Sequence, residues 1–208
     1  MSTVCHVPGA SSRARLLSLA RRRGTLTRQQ VEDAGIHSQT LSRLVRAGEL
    51  ERVGRGRYRL PDRPQSAHDG LLLVAAAVPR AVFCLLSALS FHEIGTQLPH
   101  EVWIAIDRRS RPPALSYPPL RVQLFSGKAL TEGVESHRVD GQTLRVYGVA
   151  KTIADLFKYR NKLGVDVALE ALREAWRRKL FTMDEIHRYA RVCRVERVMR
   201  PYLESLVA

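Results

Sequence analysis

Acidic residues are scarce in this chain. Asp and Glu number 20 against 34 Lys and Arg, most of the latter arginine, which leaves a formal net charge of +14 over 208 residues. Such an excess points to a polyanionic partner, because basic surface attracts phosphate and releases its condensed counterions. The plainer alternative is a soluble basic protein whose arginines reflect codon bias. Cysteine is scarce too. Cys5, Cys84 and Cys193 are odd in number, far apart and never spaced as C-x-x-C. That pattern argues against a disulfide framework or a zinc knuckle and for a reducing cytoplasm. Long apolar runs are missing. The longest, Gly70 to Val78 (GLLLVAAAV), reads as a core helix and is far short of the roughly 20 residues that cross a bilayer. The first residues lack the apolar core of a signal peptide. A cytoplasmic protein that does not enter membranes is the expectation. At 45% hydrophobic and 26% charged residues, the composition is that of a globular protein.

Composition shifts at LPDRPQSAHDG (Leu60 to Gly70), whose two prolines, serine and glycine read as a linker. Residues 1–66 hold 13 basic and 5 acidic side chains, against 21 and 15 in residues 67–208, so the smaller piece carries more than half the net charge. Its pattern predicts three short helices and a hairpin. Ser12 to about Arg23 sets Leu16, Leu17 and Ala20 on one face. Thr27 with Gln30 three residues on has capping-box spacing for a second helix, which Gly35 stops. Ser38 is the expected N-cap of a third helix ended by Gly48, with Leu41, Leu44 and Val45 at the i, i+3, i+4 spacing of a buried face. Strands over about Leu50–Val53 and Arg57–Leu60 turn at Gly54-Arg55-Gly56.

Residues 67–208 read as mixed α/β. Helices are predicted at Asp69–Ala77, Ala81–Glu93, Ala150–Tyr159, Val165–Lys179, Met183–Arg191 and from about Val195. Thr182 and Glu185 give the fifth of these a capping box. Strands are predicted at Glu101–Asp107, Leu120–Phe125, Val134–Val139 and Thr143–Gly148, with Arg108–Pro119 a proline-rich loop. The expected fold is therefore α+β. A winged helix-turn-helix domain spans residues 1–62, and a larger mixed α/β domain spans 63–208.

A helix-turn-helix with a wing presents its second helix to the DNA major groove. In that reading Gln39 suits adenine, Arg43 suits guanine, and Thr40 touches a base or a thymine methyl. Ser38 and neighbouring N–H groups suit a phosphate. Arg46 holds backbone one turn later, and Arg55 and Arg57 project from the wing to phosphate or the minor groove. Thr27, Arg28 and Gln29 touch phosphate where the preceding helix crosses the backbone. Arginines at alternate hairpin positions are also what a solvated face looks like, and an RNA- or protein-binding interaction module without operator specificity is the alternative reading.

GTLTRQQVEDAGIHSQTLSRLVRAGELERVGRGRYRL (Gly24 to Leu60) resembles the N-terminal domain of the AbiEi-type antitoxins of type IV toxin–antitoxin systems. LLSALSFHEIG, EVWIAID and LRVYGVAKTIADLFKYRNKLGVDVALEALREAW match in outline, so the resemblance runs from about Ser12 to Trp176. It implies a repressor of its own operon, bound to duplex operator DNA, that also neutralises a nucleotidyltransferase-like toxin through an antitoxin domain. It leaves the oligomeric state open.

Enzyme motifs are wanting. His92-Glu93 has Thr96 where a zincin needs its second histidine, so His92 reads as a helix-end or core residue. No G-x-x-x-x-G-K-[ST] loop exists. Asp107 and Lys128 lack the acid that a metal-dependent nuclease would need between them. No enzyme, metal or cofactor is expected. Lys151 and Asp155, four apart, are expected to form a surface ion pair. Lys151, Lys158, Arg160 and Lys162 form a candidate second basic patch that would touch flanking DNA or an RNA.

Overall fold

The computed structural model describes residues 11–54, 56–61, 68–115 and 117–207, which fall into two compact units, the first holding the chain up to Asp69 together with Asp140–Gln142 and the second holding Gly70–Val139 and the chain from Thr143. The fold is α+β. Most of the expected linker, residues 62–67, lies outside the described residues.

The first unit runs α1 (Ser12–Arg23), β1 (Thr25–Thr27), α2 (Arg28–Asp33), α3 (Ser38–Arg46), β2 (Glu51–Gly54) and β3 (Arg57–Arg59). Strand β1 was not predicted. It completes an antiparallel sheet in the order β1-β3-β2, with Leu26 opposite Tyr58 and Arg52 opposite Tyr58 from the other side. A bulge between Arg52 and Gly54 interrupts the β2–β3 ladder before its last pair, Gly54 with Arg57. Helix spacing places Leu16 and Ala20 of α1, Val31 of α2 and Leu41 and Leu44 of α3 on inward faces, where they close over Leu26, Ile36 and Leu50.

The second unit continues with α4 (Asp69–Ala77), β4 (Val82–Phe83), α5 (Leu85–Phe91), β5 (Val102–Asp107), β6 (Leu120–Phe125), α6 (Lys128–Thr131), β7 (Val134–Val139) and β8 (Gln142–Tyr147). It ends with α7 (Val149–Lys158), α8 (Arg160–Leu163), α9 (Val165–Arg177), α10 (Met183–Cys193) and α11 (Glu196–Val207). The helix expected over Ala81–Glu93 is instead strand β4 followed by the shorter α5. The helix starts only at Leu85, whose φ of 48° breaks any continuous helix through the segment.

The sheet order is β6-β5-β4-β8-β7. Strand β5 is parallel to β6 and antiparallel to β4, which is parallel to β8. Side chains alternate across it. Phe83, Ile104, Ile106 and Val146 face one core with Leu71, Leu72 and Val74 of α4, while Val82, Ala105, Phe125 and Tyr147 face another built from α5, α7, α9, α10 and α11. A strand buried on both sides reads as a continuous apolar run, as VWIAI does. Asp140 and Gly141, both with positive φ, make the two-residue turn that joins β7 to β8.

Helix α7 lies inside the second core, packed by α5, α9, α10 and α11. This corrects one expectation. Lys151 and Asp155 are not at the surface; both side chains are 0% exposed, and Nζ donates to Oδ2 at 2.5 Å. The ammonium also sits 4.1 Å from the Tyr147 ring centroid, and the second Asp155 oxygen accepts from Cys193 Sγ at 3.1 Å. Burial pushes the Asp155 carboxyl pKa up, opposed by the Lys151 charge. The loop before β7 closes on this lysine. Gly133 has φ +76°, and a Cβ there would stand 2.8 Å from Lys151 Cβ. His92 caps α5 and donates from Nε2 to the Tyr147 carbonyl at 2.8 Å.

Two outcomes follow from these buried groups. Lys151→Ala or Asp155→Ala alone should cost about 3–5 kcal/mol in denaturant unfolding, because each strands the opposite charge, whereas Lys151→Met with Asp155→Leu should cost much less than the two single losses together. Burial also lowers the His92 pKa from its ordinary 6.5. The unfolded chain therefore takes up this proton first on acidification. His92 stabilises the fold above about pH 6.5 and loses that contribution as pH falls below it. Unfolding free energies measured on either side of that pH should fall less steeply with acid in His92→Gln than in the wild type.

Candidate nucleic-acid interface

Helix α3 is short and two-faced. Leu41 and Leu44 are buried and Val45 half-buried, so the 3.6-residue turn forces Gln39, Arg43 and Arg46 outward into solvent, with Ser38 and Thr40 at the boundary. Among the described residues neither Arg43 nor Arg46 is ion-paired. The N-cap is His37 rather than the expected Ser38, which is the first helical residue. His37 Nδ1 accepts the Gln39 N–H at 3.3 Å, so that one of the N–H groups assigned to phosphate is already used. Histidine is not among the favoured N-cap residues, and the sequence pattern accordingly pointed one residue too far.

The start of α2 is fixed by a complete capping box. Thr27 Oγ1 accepts from the Gln30 N–H at 3.1 Å, and Gln30 Oε1 accepts from the Thr27 N–H at 2.9 Å. Thr27 keeps only its hydroxyl hydrogen to donate outward. Arg28 and Gln29 are exposed, but each side chain is turned along the helix, Arg28 Nε to Glu32 at 2.9 Å and Gln29 Nε2 to Asp33 at 2.9 Å.

The hairpin is tied to this point. Arg28 N–H donates to the Gly56 carbonyl at 3.0 Å, and Thr27 lies opposite Arg57 in the β1–β3 ladder. Strand β1, which the sequence pattern missed, is what brings the hairpin turn beside the first turn of α2. Arg57 is half-buried, which lowers its pKa. Arg55 lies outside the described residues. The alternate arginines have different fates. Arg59 pairs across the ladder with Glu51, whereas Arg52, which had not been singled out, is exposed with Nε on its own Gly54 carbonyl at 3.1 Å. Arg13 of α1 is bonded to Glu49 at 2.5 Å. Among the described residues, the carboxylates of this unit thus neutralise its flanks and leave Arg43 and Arg46 on the outer face of α3 without an ion pair.

Residues 14–61 match the family model for the transcriptional regulator, AbiEi antitoxin. The AbiEi match runs from the third residue of α1 through β3 and leaves residues 1–13 and 62–208 outside it. No curated protein matches the chain.

Outside the AbiEi match, the four residues of the second patch are not together. Lys151 is buried on Asp155, and Arg160 is half-buried with its guanidinium donating to the Phe157 carbonyl at 2.9 Å. Lys158 and Lys162 are exposed. Among the described residues no three His, Cys, Asp or Glu side chains are placed to hold a metal, and no helix is long and apolar enough to cross a membrane.

Thr27 sets the entry of α2 and so the place of the hairpin against it. Thr27→Ala should destabilise the chain by about 1 kcal/mol, read as a shifted urea midpoint with unchanged slope; no shift would mean the capping box does not hold this corner.

Proposed function

We propose that residues 11–61 form a winged helix-turn-helix that binds duplex DNA, and that the protein is a transcriptional repressor of its own operon and an antitoxin. The observation that carries this reading is the outer face of α3, where Gln39, Arg43 and Arg46 stand in solvent without ion pairs among the described residues while the opposite face is locked into the core. The major groove admits a helix of this kind. Gln39 and Arg43, near its start, are the base-reading candidates, with Thr40 beside them; Arg46 and Ser38 hold phosphate. Strands β2 and β3 serve as the wing, with Arg52, Arg55 and Arg57 toward the backbone. Thr27, Arg28 and Gln29 then meet phosphate where α2 crosses the strand. Arg28 must leave Glu32 to do so, and an exposed i, i+4 pair is worth only about 0.3–0.5 kcal/mol.

The AbiEi match over residues 14–61 supports the regulator and antitoxin parts of the reading. The toxin it would neutralise is a nucleotidyltransferase-like protein, by the resemblance from about Ser12 to Trp176, and the reading requires no enzyme activity of this chain and places it in the cytoplasm.

Gel-shift titration against the promoter region of the protein's own operon tests the proposal. Arg43→Ala should weaken specific binding by about 1–3 kcal/mol and relax preference at one base pair, whereas Arg46→Ala should weaken all duplexes alike and lower the salt slope by about 1. Binding by both variants equal to wild type, or displacement by structured RNA in preference to duplex DNA, would contradict it.

A further inference from the structure

Exposed cations converge at the far end of the β5–β6 pair in the second unit. The two strands are parallel with Asp107 opposite Phe125, and the Arg108 N–H donates to the Phe125 carbonyl at 2.9 Å. The chain after β5 thus leaves the sheet beside the last residue of β6. Asp107 then folds the turn, its Oδ1 accepting the Arg109 N–H at 2.8 Å, and both arginine side chains are exposed.

The floor of this corner is aromatic. Phe125 stacks on Tyr147 at 5.9 Å and on Tyr159 at 6.0 Å between centroids. Lys158 Nζ stands 5.6 Å from the Phe125 centroid, and Lys162 Nζ stands 5.9 Å from that of Tyr159. The Tyr147 hydroxyl donates to the Leu130 carbonyl at 2.8 Å, which fixes α6 and its Lys128, a side chain 83% exposed, at the same end.

Lys158 and Lys162 are seated over rings rather than on carboxylates. Among the described residues Arg108, Arg109, Lys158 and Lys162 make no ion pair. Lys128 has only a 3.9 Å contact to Glu132, and that carboxylate is also held by Arg188 at 3.0 Å. The remaining nearby acids are spent, Asp107 on its own turn and Asp155 on Lys151. A cation over a ring is weakly attracted to it but keeps its full charge. Like charges gathered without counter-ions repel one another, and a polyanion relieves that repulsion while releasing its own counterions.

We propose that Arg108, Arg109, Lys128, Lys158 and Lys162 form a second nucleic-acid surface, which grips the phosphodiester backbone without reading sequence and is independent of α3. The five cationic side chains are donors, which suits successive phosphates, and Phe125, 3% exposed, is too buried to serve as an apolar anchor.

The test uses the full chain carrying Arg108→Gln, Lys158→Gln and Lys162→Gln, in the wild-type background and again with Arg43→Ala and Arg46→Ala. Binding to a random-sequence DNA duplex and to an RNA hairpin is followed by fluorescence anisotropy across salt. Loss of three phosphate contacts should flatten the log–log salt slope by about 2–3 and weaken low-salt binding by at least about tenfold in both backgrounds. A change on DNA alone or on RNA alone upholds the surface and names its source. Unchanged slopes on both nucleic acids, with the thermal melt of the variant intact, overturn it, as does equal displacement of both by polyglutamate at matched charge. The same comparison with Arg108→Gln or Lys162→Gln alone, each expected to remove about one unit of slope, stands should the triple variant fold poorly.

Discussion

Burial of Leu41 and Leu44 is the constraint on which the first unit depends. Both are 2% exposed, in a core closed by Leu16, Leu26, Val31, Ile36 and Leu50. A nine-residue helix is marginal by itself, so tertiary packing of one face is what makes α3 a helix at all. Once that face is fixed, helical periodicity leaves no choice about the other. Gln39, Arg43 and Arg46 must point to solvent, and the placement of acids elsewhere in the unit leaves them uncompensated. The proposed DNA contact is thus a by-product of how the core is satisfied, which is why core and contact residues interleave within one short sequence.

The second unit uses its charges in two opposite ways. On α7, Lys151 is enclosed with Asp155 and adds nothing to the surface. Two turns on, Lys158 emerges over the ring of Phe125, and Lys162 of α8 over that of Tyr159. Burial pulls the Tyr159 hydroxyl pKa up to about 12, so this floor stays uncharged in any ordinary buffer. A neutral aromatic floor supports cations without cancelling them.

Much of this was legible in the chain. The bounds of α1, α4, β6 and β7 follow from periodicity and turn residues, and both threonine capping boxes form as their spacing indicates. The failures have physical causes. Strand β1 is three residues long and β4 two, too short for alternation to register, and each is created by its partners: β1 by the β3 ladder, β4 by β5 and β8. Lys151 and Asp155 read as an exposed i, i+4 pair because that spacing says nothing of what packs around a helix; four neighbouring helices decide it. His37 outcompetes Ser38 as cap through a ring nitrogen that propensity does not favour. Arg108 and Arg109 read as part of a proline-rich loop, since only the parallel register of β5 and β6 brings the chain after β5 to Phe125, over whose ring Lys158 stands.

The most direct test of the α3 reading is residue-by-residue mapping of backbone amide resonances as duplex DNA from the promoter region is added. We expect the largest changes along Ser38 to Arg46 and at Arg28, with the amides of Leu16 and Leu26 in the core little moved. A duplex that binds while Ser38 to Arg46 stay unperturbed would contradict it.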